Sequence, residues 1–200
     1  MPTAEFIQSQ LAGAWRLMNG RADGLRLLDI SADGFWTSFF AIVLALPALF
    51  ASWVATANGI AALYPDGAGQ VSLILRLALV DLSAWILPLV ALALAAPYAR
   101  IADRYVHYVV ASNWASAIIV WIMLPPAMLH FLLPAAEDVA SLISLGLFFL
   151  TLMFSWRLTQ VAIGKGAAIA TGVFVAMVAT SLFVLFGMQD LLGLTLPPAP

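Results

Sequence analysis

The sequence predicts an all-α polytopic membrane protein, a bundle of five transmembrane helices preceded by an amphipathic interfacial helix. Of 200 residues 64% are hydrophobic and 9% charged, whereas soluble domains carry about 25% charged residues. Mean hydropathy is +1.04. Five apolar runs, 34–57, 71–96, 105–124, 139–163 and 167–188, each have the length of about 20 residues that a helix needs to cross a hydrocarbon core roughly 30 Å thick. The net charge of −2 is too small to point to nucleic acid or an acidic substrate as partner. Without cysteine there is no disulfide, thiolate nucleophile or Cys-ligated metal.

Residues 1–33 form the cytoplasmic or interfacial N-terminal segment. Ile7, Leu11, Ala14 or Trp15, and Met18 recur at helical spacing, with Glu5, Gln8, Ser9 and Arg16 mostly on other faces. Such a helix lies on a membrane surface or docks against protein, and periodicity alone does not choose between the two. Asn19-Gly20 is a turn signal that ends it, and a second short amphipathic piece covers 25–30. Ser31 or Asp33 then caps the first span.

The first span, 34–57, carries Trp36 and Trp53 near its two ends, where indoles favour the headgroup level. Pro47 removes a backbone bond inside it, so a bend or loosening is expected there. Ala55-Thr56-Ala57 resembles a signal-peptide cleavage site, but so long a leading segment is not signal-peptide proportion. Residues 58–70, NGIAALYPDGAGQ, have the composition of a loop.

The second span, 71–96, contains Arg76 and Asp81 and ends at Pro97. An ionised side chain near the bilayer centre costs on the order of 3 kcal/mol on insertion scales, so Asp81 needs a partner, a proton or water. Arg76 is five residues away on the same helix, a poor angular match, and can snorkel outward instead. The third span is 105–124. Pro125-Pro126 is expected to break or kink it and to leave 127–133 as an apolar extension near the interface. The fourth and fifth spans are 139–163 and 167–188, and 191–200 is a short C-terminal tail. Five spans do not divide into equal halves and no internal repeat is visible, which disfavours an inverted-repeat carrier.

Basic residues set the orientation. Arg16, Arg21, Arg26, Arg100, Arg104, Arg157 and Lys165 fall on one side, and the opposite connections have no Lys or Arg. The positive-inside rule then places the N-terminus in the cytoplasm and the C-terminus outside, in a cell inner membrane.

Two constellations stand out. The first is an intramembrane polar cluster of Asp81 and Trp85, one turn apart on the second span, with Ser112, Asn113 and Ser116 at comparable depth on the third. Pro88 also frees the Ala84 carbonyl nearby. It reads as a hydrogen-bonded brace, a substrate or proton site, or a contact to another subunit. The second is a small-residue face on the fifth span, Ala168, Gly172, Ala176 and Thr180, which would let another helix approach closely, within the chain or across a dimer seam. No catalytic motif is completed: Gly164-Lys165-Gly166 lacks the strand and spacing of a nucleotide loop. His107 and His130 are expected near opposite faces, so no metal site and no cofactor is expected. His130 lies near Glu137 and Asp138 in sequence, in what reads as a solvated loop.

The five-span plan with a polar N-terminal region, the run Tyr105-Val106-His107-Tyr108-Val109-Val110 opening the third span, and Trp156 near the end of the fourth resemble the Yip1-type membrane proteins, including bacterial members. Eukaryotic members act in vesicle traffic with small GTPases, but the long cytoplasmic N-terminal domain is missing here. The expectation is a non-enzymatic organising or accessory component of a membrane complex, with the lipid bilayer, a membrane-protein partner or a second copy as partners and no nucleic acid. The alternative is a small transporter or channel subunit using the polar site around Asp81.

Overall fold

The computed structural model describes residues 2–64, 67–132 and 137–194. Seven α-helices follow one another among these residues, with no strand: α1 (Ala4–Met18), α2 (Ala32–Ser38), α3 (Phe40–Leu63), α4 (Gln70–Ala95), α5 (Tyr105–Leu132), α6 (Glu137–Ile163) and α7 (Ala167–Leu191). Five stretches are long and apolar enough to span a membrane, α2 and α3 together forming the first.

The amphipathic helix α1 begins at Thr3, whose hydroxyl accepts from the Phe6 amide. It ends where Gly20 takes a positive φ of 77° and the Arg21 amide returns to the Arg16 carbonyl at 2.9 Å, a glycine C-cap. Its apolar face meets protein: Leu17 and Met18 are fully buried, and α1 packs on α5 and α6. Phe6 sits edge-on to Trp114 at 6.4 Å, and Trp15 edge-on to Phe154 at 5.5 Å. Burying Leu17 and Met18 stabilises the docking by about 3–6 kcal/mol relative to leaving them in water. The half-exposed Arg16–Asp23 pair adds at most about 1 kcal/mol, so apolar packing holds this helix.

The second amphipathic piece, expected over 25–30, is a 3-10 turn over Ala22–Leu27. It folds back on α1 through Gln10, whose amide donates to the Leu27 carbonyl at 3.0 Å and accepts from the Asp29 amide at 3.1 Å. Ser9 donates to the same carbonyl. The approach is close enough that a side chain at Gly24 would run into the Gly13 carbonyl.

Of the two expected caps, Ser31 takes the role: its hydroxyl accepts from the Gly34 amide at 3.0 Å. The first span is interrupted at Phe39 and then runs to Leu63, six residues past its expected end. Asn58 therefore belongs to a helix. Pro47 sits inside α3 without ending it. The carbonyl that the proline frees is that of Val43, and next to it in sequence the Leu44 carbonyl accepts the Trp121 indole at 3.0 Å.

The third span also outruns its expected end, since α5 carries straight through Pro125 and Pro126 to Leu132. Prolines persist in spanning helices because neighbouring helices and polar side chains re-satisfy the freed carbonyls. The tail beyond 194 and the approach of His130 to Glu137 lie outside the described residues and side chains.

The spans close into a ring. α3 packs on α4, α4 on α7, α7 on α6, α6 on α5 and α5 back on α3, while α4 and α5 touch only sparingly. Chain order is thus not neighbour order. α5 is the most enclosed span because α1 and α2 cover its first half, and Tyr108, Val109, Val110, Asn113 and Trp114 are buried there.

Candidate functional site

Between the spans lies a cavity of about 510 Å³, partly open to the exterior and lined by residues of α3 to α7. All five residues of the expected polar cluster, Asp81, Trp85, Ser112, Asn113 and Ser116, line it. The bonding inside the cluster differs from expectation in one respect. The partner of Asp81 is Trp53 on the first span, whose indole donates to Asp81 Oδ2 at 2.6 Å; among the described residues no hydroxyl or amide of the third span bonds it.

Asp81 meets Trp53 because α3 and α4 form an antiparallel hairpin. Trp53 lies ten residues before the end of α3 and Asp81 eleven residues after the start of α4, so the two reach the same level. Trp53 is only 6% exposed; it is a deep donor and not a headgroup anchor.

One turn along α4, Trp85 donates to Asn113 Oδ1 at 3.0 Å. Asn113 in turn donates from Nδ2 to Ser38 Oγ at 2.9 Å, and Ser38 donates to the Phe35 carbonyl at 2.7 Å. Indole N–H is a donor only, so the Asn113 atom facing it must be the oxygen, which fixes the amide orientation. This chain of bonds ties α2, α4 and α5 together at a fully buried Asn113.

The remaining polar groups of the cavity divide by whether they are satisfied. Ser112 bonds back to the Val109 carbonyl and Thr159 to the Ser155 carbonyl, the usual resort of hydroxyls within a helix. Ser116 on α5, Ser155 on α6 and Ser181 on α7 also line the cavity. Among the described residues their hydroxyls, and Asp81 Oδ1, have no hydrogen-bond partner. One carboxylate oxygen and three hydroxyls, from four different helices, are therefore open to one space. The rest of the wall is apolar, with Leu49, Ile119, Leu152, Phe174, Met177 and Leu182. Among the described residues no three His, Cys, Asp or Glu side chains converge, so the chemistry of the site is that of one carboxylate, hydroxyls and indoles.

The small-residue face of α7 is not where the helix packs. Ala168, Gly172 and Ala176 are exposed, nothing lies within 4 Å of a Cβ placed at Gly172, and Thr180 bonds only to its own Ala176 carbonyl. The buried face of α7 is that of Ala170 and Val173. Gly172 is about 200° around the helix from Ala170 at about 100° per residue, so the expected packing within the chain is incorrect.

Arg76 also departs from expectation. It does not simply reach to water but donates to the Leu192 carbonyl at 2.9 Å, closing the C-terminal end of α7, where a cation also complements the helix dipole. At the opposite end of the bundle, Lys165 donates to Asp103 and to the Arg100 carbonyl, so the α4–α5 and α6–α7 connections meet there.

No family model, curated protein or solved structure matches the chain. Nothing in these comparisons bears on the Yip1-type resemblance.

Proposed function

We propose that this membrane protein binds, and passes through its five-helix ring, a small amphiphilic cation whose charged group pairs with Asp81. The observation that carries this reading is the space of about 510 Å³ between the spans, partly open to the exterior, into which Asp81 and three unpartnered hydroxyls face. Ligand pockets are typically about 300–1,000 Å³, mostly apolar, with a few convergent polar groups. A brace alone would leave the carboxylate bonded on both oxygens, because an open oxygen in an apolar surround is costly. A cationic group offsets that cost, and the apolar wall accommodates the body attached to it.

Tetraphenylphosphonium, a permanent lipophilic cation, is a direct probe. Purified protein in mild detergent should bind it, and Asp81→Asn should weaken binding by roughly tenfold or more while thermal unfolding stays close to wild type, because the amide keeps the Trp53 bond. Asp81→Glu should retain part of the affinity. Equal binding by a folded Asp81→Asn variant would refute the reading, as would no saturable binding by wild type.

The orientation that goes with this function is N-terminus in the cytoplasm and C-terminus outside, supported by the positive-inside rule. A reporter active only in the cytoplasm, fused after Pro200, should be silent. Strong activity there would reverse the orientation.

A further inference from the structure

A second space lies beside the first. It is an open crevice of about 1110 Å³ between the end of α3, the end of α5 and the beginning of α6, at the end of the bundle where α3 ends and α4 begins. Its lining includes Ser52, Thr56, Ser141 and Ser144. Among the described residues these four hydroxyls have no hydrogen-bond partner, whereas Ser112, Thr151, Thr159 and Thr180 all bond back to carbonyls of their own helices. Open hydroxyls along a groove between spans fit water or a polar solute better than acyl chains, which offer no hydrogen bond.

One residue belongs to both spaces. Phe148 on α6 lines the crevice and the central cavity alike. It is 48% exposed, and among the described residues its one ring contact within stacking distance is the neighbouring Phe149, edge-on at 5.8 Å. No close-packed core holds the ring in one position, so a rotamer change is sufficient to move it. Side chains with this freedom turn over in picoseconds to nanoseconds.

We propose that the crevice is the access route to the Asp81 cavity and that the Phe148 ring is the gate between them. The solute then enters from the face where α3 ends and α4 begins and passes the hydroxyls of Ser141 and Ser144. Beyond Phe148 it reaches Ser116 and Asp81. This rests on the reading of the cavity as a cation site, but it makes a claim about access that can be tested without that ligand.

The chain has no cysteine, so single-cysteine variants report accessibility without background. Full-length protein in sealed vesicles would carry Ser144→Cys or Ser116→Cys and be treated on each face in turn with a membrane-impermeant trimethylammonium methanethiosulfonate. Ser144→Cys should react rapidly from one face, at a rate unaffected by Phe148. Ser116→Cys should react from that same face, at least about tenfold faster with Phe148→Ala and slower with Phe148→Trp. Phe148→Leu, which preserves apolar bulk, should fall between wild type and alanine. Reaction of Ser116→Cys only from the opposite face, or at a rate indifferent to residue 148, would overturn the route. If labelling follows the expected pattern and tetraphenylphosphonium does not bind, the gate stands and the ligand class falls; if it binds and labelling comes from the other face, the reverse holds.

Discussion

Replacing Asn113 with leucine tests the bonded chain that ties α2, α4 and α5. Asn113 is fully buried, accepts from Trp85 at 3.0 Å and donates to Ser38 at 2.9 Å. Leucine is similar in size but has neither acceptor nor donor. Ser38 then loses one partner and keeps the Phe35 carbonyl, at 2.7 Å, as its acceptor. Trp85, half-buried beside the cavity, loses its one partner among the described residues, and an orphaned donor costs about 1–3 kcal/mol where it is buried, towards the low end of that range here. Measured couplings between membrane helices are smaller, averaging about 0.6 and reaching about 1.7 kcal/mol. We therefore expect Asn113→Leu to destabilise by about 1–3 kcal/mol, and a double-mutant cycle with Trp85→Phe to yield about 0.6–1.7 kcal/mol of coupling. The assay is reversible unfolding in mixed micelles. Coupling within about 0.3 kcal/mol of zero, with Asn113→Leu as stable as wild type, would refute the account of the brace.

Two further substitutions separate close packing from open surface. In Gly24→Val the new Cβ meets the Gly13 carbonyl oxygen at 2.5 Å and Arg16 Cβ at 2.9 Å, backbone and near-backbone atoms that cannot swing away. Overpacking of this kind costs about 1–3 kcal/mol, and limited proteolysis should cut within 1–30 faster while the spans unfold as in wild type. Gly172→Leu should do the opposite of what its place in the small-residue stripe implies: no atom lies within 4 Å, so monomer stability should change by less than about 0.5 kcal/mol. A large loss of stability in that variant would mean that α7 packs through the stripe after all.

The number of spans and their order along the chain were legible because each is an apolar run of about 20 residues or more, the length a crossing helix needs. Helix ends were not. Asn58, Gly59 and the residues after them have loop composition, yet Gly59 lies in open space with nothing within 4 Å of an added Cβ, so α3 continues to Leu63 at little cost. Pro125 and Pro126 read as a stop, but a run of apolar residues follows them, and a membrane offers no water to take over carbonyls released by a break.

The ends decided what could be read of the site. Ending the first span at 57 puts Trp53 one turn from the surface, where an indole needs no special explanation; ending it at Leu63 puts the same indole at the level of Asp81. Six residues of error in one boundary thus concealed the partner of Asp81. The neighbour order of the spans was hidden for another reason. α7 is apolar on all sides, and only 11% of its apolar window is buried, so no contrast along the sequence marks which face turns inward. Spacing picked out Gly172 and its neighbours, since close helix contact favours small residues. The inward face is instead set by closure of the ring: α7 must touch both α4 and α6, which turns Ala170 and Val173 to the protein. Ser181 then reaches the cavity because it is eleven residues, close to three turns, beyond Ala170.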